Sequence, residues 1–293
     1  MQAFTIRDIE NLTGIKAHTI RIWEQRYRLM ANQRATGMHR TYSNEDLKHL
    51  LKISTLYHHG YKISKIAGLN RDEIDRITLN TMMIGEPFLI YVNQMVEAAI
   101  DFDEPRFENI LSTCILHYSF EKTIFRIIYP FLNKIGLLWS TSHIVPAMEH
   151  FASALIMKKL LVAINGVERP AANEAAPVVL LFTPEAERHE IPVLMMQYLL
   201  KKQGISTVMM GQHASPEALS IYCSSRPVTH LYTHIITYLQ TTDIDEYVAE
   251  LSRRFAARQI VLSGNIVQSM QRSFVNVRIL KNEDEMLSFV RQL

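Results

Sequence analysis

The chain has 293 residues, 48% of them hydrophobic and 20% charged. That gives room for two or three domains at about 100–200 residues each and excludes a largely disordered or fibrous protein. Net charge is +2, but residues 1–70 hold 11 Lys and Arg against 5 Asp and Glu, a net +6, leaving the remainder at −4; a basic head on a mildly acidic body suits an anionic partner such as nucleic acid. No apolar run approaches the length of a membrane span, and the start MQAFTIRDIE lacks the features of a secretory signal. Cys114 and Cys223 form neither a CxxC pair nor a disulfide framework. A cytoplasmic setting without a membrane partner is expected.

The first segment runs over residues 1–75. Thr5 followed by Asp8 reads as a capping box, with Phe4 placed to staple onto Ile9. This helix ends near Thr13-Gly14, and a second starts at Lys16-Ala17 and carries His18, Thr19, Arg21, Trp23, Arg26 and Arg28. Two short helices joined by a glycine turn make a helix-turn-helix pattern. Met30–Tyr42 is loop-like, Ser43-Asn44-Glu45-Asp46 caps a third helix with Leu47, Leu50, Leu51 and Leu56 as its apolar stripe, Gly60 stops it, and Lys62–Ala67 is a last short helix.

Residues 76–165 read as four helices in a bundle, with Asp103-Glu104-Pro105 starting one of them and Pro130 kinking or dividing the third. GVERPAANEAAP, residues 166–177, is a linker by composition. Beyond it the pattern alternates. Strands are expected at Val178–Phe182, Ile205–Met210, Leu231–Tyr238, Ile260–Ser263 and Val277–Leu280, and helices at His189–Lys202, Pro216–Cys223, Ile244–Ala256 and Asp284–Val290. Such alternation predicts a parallel sheet covered on both faces, with ligands at the C-terminal ends of its strands.

Thr13-Gly14 followed by Ala17-His18-Thr19-Ile20-Arg21-Ile22-Trp23-Glu24-Gln25-Arg26-Tyr27 resembles the recognition motif of the MerR family, and His39-Arg40-Thr41-Tyr42 resembles its wing. The resemblance covers about the first 70 residues and implies a winged helix-turn-helix that binds a double-stranded operator. A recognition helix needs cationic or polar side chains facing the groove, which His18, Thr19, Arg21 and Arg26 supply; a guanidinium can fork onto guanine or clamp phosphate. Arg40 suits phosphate or the minor groove, and Tyr42 can hydrogen-bond a phosphate. Trp23 either reaches DNA or packs in the small core.

Trp139, preceded by Pro130 and Gly136 and followed after nine residues by Glu149-His150, resembles the helical cap of MerR-type, cobalamin-dependent photoreceptor repressors of carotenoid synthesis. The resemblance implies that Trp139, Glu149 and His150 lie beside the upper face of the corrin. Glu187-Arg188-His189-Glu190-Ile191-Pro192 is similar to the Asp/Glu-x-His-x-x-Gly motif of cobalamin-binding domains, implying His189 as the lower axial ligand of cobalt. Neutral imidazole suits such a metal, and a carboxylate two residues away can fix its tautomer. The departures are Pro192 for the family's glycine, Thr237-Tyr238-Leu239 for its Ser-x-Leu element, Ser263-Gly264 for its Gly-Gly pair, and Ser140 where the photoreceptors have a histidine.

The expected architecture is thus multidomain α and α/β: a winged helix-turn-helix head (1–75), a four-helix bundle cap (76–165) and a doubly wound, flavodoxin-like cobalamin-binding domain (178–293). The expected activity is non-enzymatic: a repressor whose assembly, as dimer or tetramer, and operator binding follow adenosylcobalamin, with light as a further input. The competing readings are a regulator whose sheet domain works without cobalamin and a corrinoid methyl-transfer protein.

Overall fold

A computed structural model describes residues 4–27, 29, 41–81, 88–140, 146–168, 176–185, 187–237 and 243–293. Of Leu79–Thr81 and Leu137–Ser140 it describes the helical backbone alone. The chain divides into two compact units, Met1–Leu155 and Ile156–Leu293. The first unit holds the head and the bundle up to Leu155, and helix Arg71–Thr81 spans residue 75.

In the first unit, β1 (Phe4–Thr5) pairs antiparallel with β2 (Thr41–Tyr42). Thr5 caps α1 (Ile6–Thr13) through the expected box with Asp8, and Phe4 and Ile9 are both buried. Gly14, at φ 72°, ends α1 in the left-handed region where a side chain would be strained. α2 (Ala17–Tyr27) follows. Ser43 and Asp46 form a second capping box at the start of α3 (Asn44–His58), whose four expected leucines are all buried. α4 (Ile63–Ile66) and α5 (Arg71–Thr81) complete the head. The loop between α2 and β2, including Arg28, Gly37, His39 and Arg40, lies almost wholly outside the described residues.

The bundle is α6 (Phe88–Ile100), α7 (Glu104–Tyr118), a rod over residues 120–140, and α10 (Pro146–Gly166), whose second half belongs to the other unit. The rod is α8 (Phe120–Thr123), a π-helical turn at Ile124–Ile128, and α9 (Tyr129–Ser140). Pro130 thus does not divide it: the wider turn just ahead of the proline absorbs the irregularity. None of the described helices is long and apolar enough to cross a membrane.

The second unit holds five parallel strands, β3 (Val178–Phe182), β4 (Ser206–Gly211), β5 (His230–His234), β6 (Gln259–Ser263) and β7 (Val277–Leu280), in the order β4-β3-β5-β6-β7. This is the flavodoxin-like order, whose switch point lies where connections from β3 and β5 leave in opposite directions. α11 (Ile191–Lys202), α12 (Pro216–Ser225), α13 (Ile244–Arg254) and α14 (Glu283–Gln292) connect or follow the strands. Strand β5 ends at His234, short of the expected Tyr238: Ile235 N still donates to Ser263 O, but Ile236 and Thr237 give their N–H groups to a carboxylate from the neighbouring loop. Buried Leu180, Phe182, Leu231, Ile260 and Leu262 pack with Val248 and Leu251 of α13 in the core.

Candidate functional sites: the α2 face and the strand switch point

α2 buries Ile20, Trp23 and Glu24 and exposes His18, Arg21, Ile22, Gln25 and Arg26. His18, Arg21, Ile22 and Gln25 fall at the spacing of a single helix face. Ile22 is 52% exposed among these polar groups. Half-buried Thr19 lies with its hydroxyl 3.3 Å from His18 Nε2, and the Arg26 guanidinium sits 5.5 Å from the Tyr27 ring centre. Lys16 and the Ala17 N–H both bond the Glu10 carboxylate, at 3.0 Å each, so a side chain of α1 fixes the start of α2.

The structure decides between the two readings of Trp23 and corrects that of Tyr42. Trp23 is 5% exposed and packs edge-on against Tyr57 at 4.8 Å, so the indole belongs to the core of the head. Tyr42 is 1% exposed and its hydroxyl donates to Glu24 Oε1 at 2.7 Å. A phenol bonded there pins β2 to α2 and does not reach a phosphate. Arg40 lies outside the described residues.

At the sheet, the site begins with Glu187, whose side chain is fully buried. Its Oε1 accepts from Arg188 N at 2.8 Å, His189 N at 3.0 Å and His189 Nδ1 at 2.5 Å. Its Oε2 accepts from Ile236 N at 2.7 Å and Thr237 N at 2.9 Å. One carboxylate thereby stitches the loop after β3 to the loop after β5, across the switch point. Burial by itself raises its pKa, but the bonds from His189, Thr237 and Ile236 outweigh that and hold it at about 2. An ionised acceptor against Nδ1 fixes the proton on that nitrogen and puts the ring's lone pair on Nε2.

Behind this pair lies a polar chain that the sequence reading missed. Tyr232 OH is 2.6 Å from Ser263 Oγ, which is 2.7 Å from His234 Nδ1, and all three residues are buried. Burial lowers the His234 pKa to about 4, against the pull of the Glu187 charge, so it is neutral near pH 7. The available signal was the period-two run His230, Tyr232, His234 within a strand. Ser263, expected to meet ligand, has its hydroxyl engaged by these two neighbours. Gly264, at φ 107°, has a structural reason for lacking a side chain: a Cβ there would lie 2.1 Å from the Ile235 carbonyl oxygen.

Thr237 contributes its N–H to Glu187, while its buried hydroxyl and those of Thr183 and Thr233 find no partner among the described residues. Thr183 just after β3, Thr233 in β5 and Thr237 beyond it are thus buried hydroxyls with hydrogen-bonding capacity to spare. Pro192 sits buried in the first turn of α11, where its missing N–H costs nothing. Histidine donor, buried carboxylate and orphaned hydroxyls fit a corrinoid approached from below.

The cap residues belong to the other unit. Trp139 is on α9, with its side chain outside the described residues, as are Tyr238 and His143. Glu149 and His150 are on the first turn of α10; His150 Nε2 is 3.4 Å from Glu149 Oε2, Ser153 donates to Glu149 at 2.6 Å, and His150 is largely exposed. Among the described residues no cluster of His, Cys, Asp and Glu forms an all-protein metal site.

Residues 4–73 match the family described as MerR HTH family regulatory protein, and residues 91–163 match the B12 binding domain. The chain is similar to the HTH-type transcriptional repressor CarH of Myxococcus xanthus, at 24% identity over 74% of each chain. It is also similar to the repressor CarA of that organism, at 28% identity over 74% of this chain and 71% of CarA. Among solved structures, the Methanosarcina barkeri monomethylamine corrinoid protein covers 68% of the chain, and 96% of itself, with a TM-score of 0.53 and 11% identity, a likeness of fold alone.

Proposed function

From the premise that this chain joins a MerR-type helix-turn-helix head to a B12-binding body and is a homologue of transcriptional repressors, we propose that it is a repressor whose operator binding is set by adenosylcobalamin. Residues 1–75 would bind duplex DNA, residues 178–293 would hold the corrinoid through His189, and residues 76–165 are the proposed cap domain. The observation that carries this reading is the Glu187–His189 pair: a buried, ionised carboxylate against Nδ1 favours the tautomer with its lone pair on Nε2, the form of imidazole that ligates a metal. When bound, the corrinoid would supply a cobalt centre able to exchange ligands, held by His189. Thr183, Thr233 and Thr237 offer hydroxyls to its polar groups, and Trp139, Glu149 and His150 are assigned to its upper side. On the head, His18, Thr19, Arg21 and Arg26 meet the groove and its phosphates. Cofactor linked to self-assembly, as a dimer or tetramer, would set operator affinity, since two joined heads gain from effective concentration. The cytoplasm is the compartment this activity requires.

The test is size-exclusion chromatography with absorbance detection of the full chain incubated with adenosylcobalamin in the dark, then illuminated. Retained corrinoid bands that fall at least about tenfold in His189→Ala are expected, the loss of one metal–ligand bond and its partner. A larger assembly that shrinks on illumination would establish a light response despite Ser140. Retention without any change would leave a cobalamin sensor that ignores light. No retention by the wild type would overturn the cofactor assignment in favour of a sheet domain that works empty, the reading favoured by buried Pro192 and by the engaged Ser263 hydroxyl. Methyl transfer from methylcobalamin with turnover would overturn the regulator reading itself.

A further inference from the structure

The last turn of α1 leaves carbonyls that its own helix cannot satisfy, as every helix end does. α1 has no basic residue in that turn. Its carbonyls are met from elsewhere. The Gly14 N–H donates to Glu10 O at 2.8 Å, and His58 Nε2 of α3 lies 3.0 Å from Thr13 O. Leu12 O receives the ammonium of Lys134, 122 residues on in α9, at 2.8 Å. The same ammonium donates to Asn93 Oδ1 of α6 at 2.8 Å. Asn93 is buried, and its Nδ2 donates in turn to Thr55 Oγ1 of α3 at 2.8 Å. Both oxygens that hold Lys134 are uncharged, so the cation is placed by the negative end of the α1 dipole and one amide.

The residues around Leu12 tie this contact to α2. One residue on, Thr13 Oγ1 accepts from Ile15 N at 3.2 Å and fixes the turn. Glu10, two residues before Leu12, bonds the first N–H of α2. The end of α1 and the start of α2 are thus one rigid piece, and Lys134 grips it from the bundle. We propose that Lys134 is a positioning residue for DNA binding: by holding the C-terminal turn of α1 from α9, it sets the orientation in which α2 presents His18, Arg21 and Ile22. α9 is also the helix that carries Trp139, five residues beyond, so the Lys134 contact ties that helix to the element that positions the DNA-reading face. That α2 reads DNA rests on the proposed function; the grip on α1 does not.

The experiment uses the full chain without added cofactor. Duplexes are first selected from a random pool by the wild type. Affinity for the selected duplex is then compared with that for a scrambled one at the same salt, alongside amide hydrogen exchange over residues 12–20. Lys134→Met keeps the aliphatic stem and removes the ammonium. It is expected to lower the specific-to-scrambled ratio about tenfold, the value of one charge-assisted hydrogen bond. Exchange over residues 12–20 should quicken, while scrambled-duplex affinity, set by surface charge, changes less than about twofold. Lys134→Arg, which keeps a donor, should recover part of the ratio. A folded Lys134→Met with unchanged ratio and exchange overturns the proposal. Should that variant not fold, Asn93→Ala decides, since it frees the ammonium on one side only: a lowered ratio supports the grip, an unchanged one overturns it. Failure of the wild type to select any duplex would sink the DNA-binding reading, and the exchange comparison would still settle whether Lys134 holds the α1–α2 turn.

Discussion

The head and the sheet domain solve the same problem, an orphaned backbone group at the edge of an element, in opposite ways. In the head the answers are mostly local. Thr5 with Asp8 and Ser43 with Asp46 close capping boxes within three residues, and the Gly14 N–H returns to Glu10 O four residues back. At the sheet the answer is remote. Glu187 takes the N–H groups of Ile236 and Thr237, 49 and 50 residues further on. Local solutions are redundant and individually small. A remote one concentrates the coupling of two loops in a single side chain, and any ligand held by His189 inherits that rigidity.

The largest expected effect comes from breaking the remote solution. Glu187→Ala strands four backbone N–H groups, of Arg188, His189, Ile236 and Thr237, and removes the acceptor of the His189 ring. A loss of about 3 kcal/mol is expected for the second unit, from unsatisfied buried donors, read as an earlier midpoint in urea unfolding of the full chain. Equal stability in the variant would mean that the two loops are held by packing and that the carboxylate serves ligand geometry alone.

Lys134 sharpens the comparison, because like His58 it is a remote device acting on a head whose helix starts are capped locally. Burial lowers its pKa from 10.5 to about 8. The unfolded chain keeps that proton up to the ordinary lysine value, so between about pH 8 and 10.5 the unfolded state binds more protons and stability rises with pH. Below pH 8 both states are protonated and the cost of holding the ammonium is present in full. The residue is only partly buried in the fold, which limits the gain to the order of 2 kcal/mol. Lys134→Met should remove this rise, leaving a shallower dependence of the unfolding midpoint between about pH 8 and 10. Parallel pH profiles for the two proteins would count against a desolvated ammonium.

The reach of a signal along the chain decides how legible it is in sequence. Both capping boxes, the leucine stripe of α3 and the strand–helix alternation beyond residue 177 depend on neighbours within a few residues, and each is readable before folding. The exposed face of α2 was readable in its charges, but the burial of Trp23 and Tyr42 was not, because it depends on Tyr57 and Glu24 arriving from other elements. The Glu187–His189 pair was visible as a spacing of two. Its completion by Ile236 and Thr237 was not, and those unseen bonds take N–H groups just beyond His234, where β5 ends short of the expected Tyr238. Gly264 shows the same limit: the sequence marked a glycine for ligand approach, while the fold gives it to the backbone of Ile235.

The smallest expected effect tests the local side of the comparison. Ser43 accepts from Asp46 N at 3.2 Å, and its own N–H and hydroxyl both donate to the Asp46 carboxylate, at 2.9 and 2.8 Å. Ser43→Ala removes the hydroxyl but leaves the N–H bond to Asp46, and the group is exposed enough for water to take over. A loss of about 1 kcal/mol is therefore expected, visible as a small fall in melting temperature with no change in DNA affinity. A larger fall, or a change in operator affinity, would show that the start of α3 is coupled to the α1–α2 turn through His58 at its far end. The head would then share the concentrated design of the switch point, and the contrast between the two regions would fail.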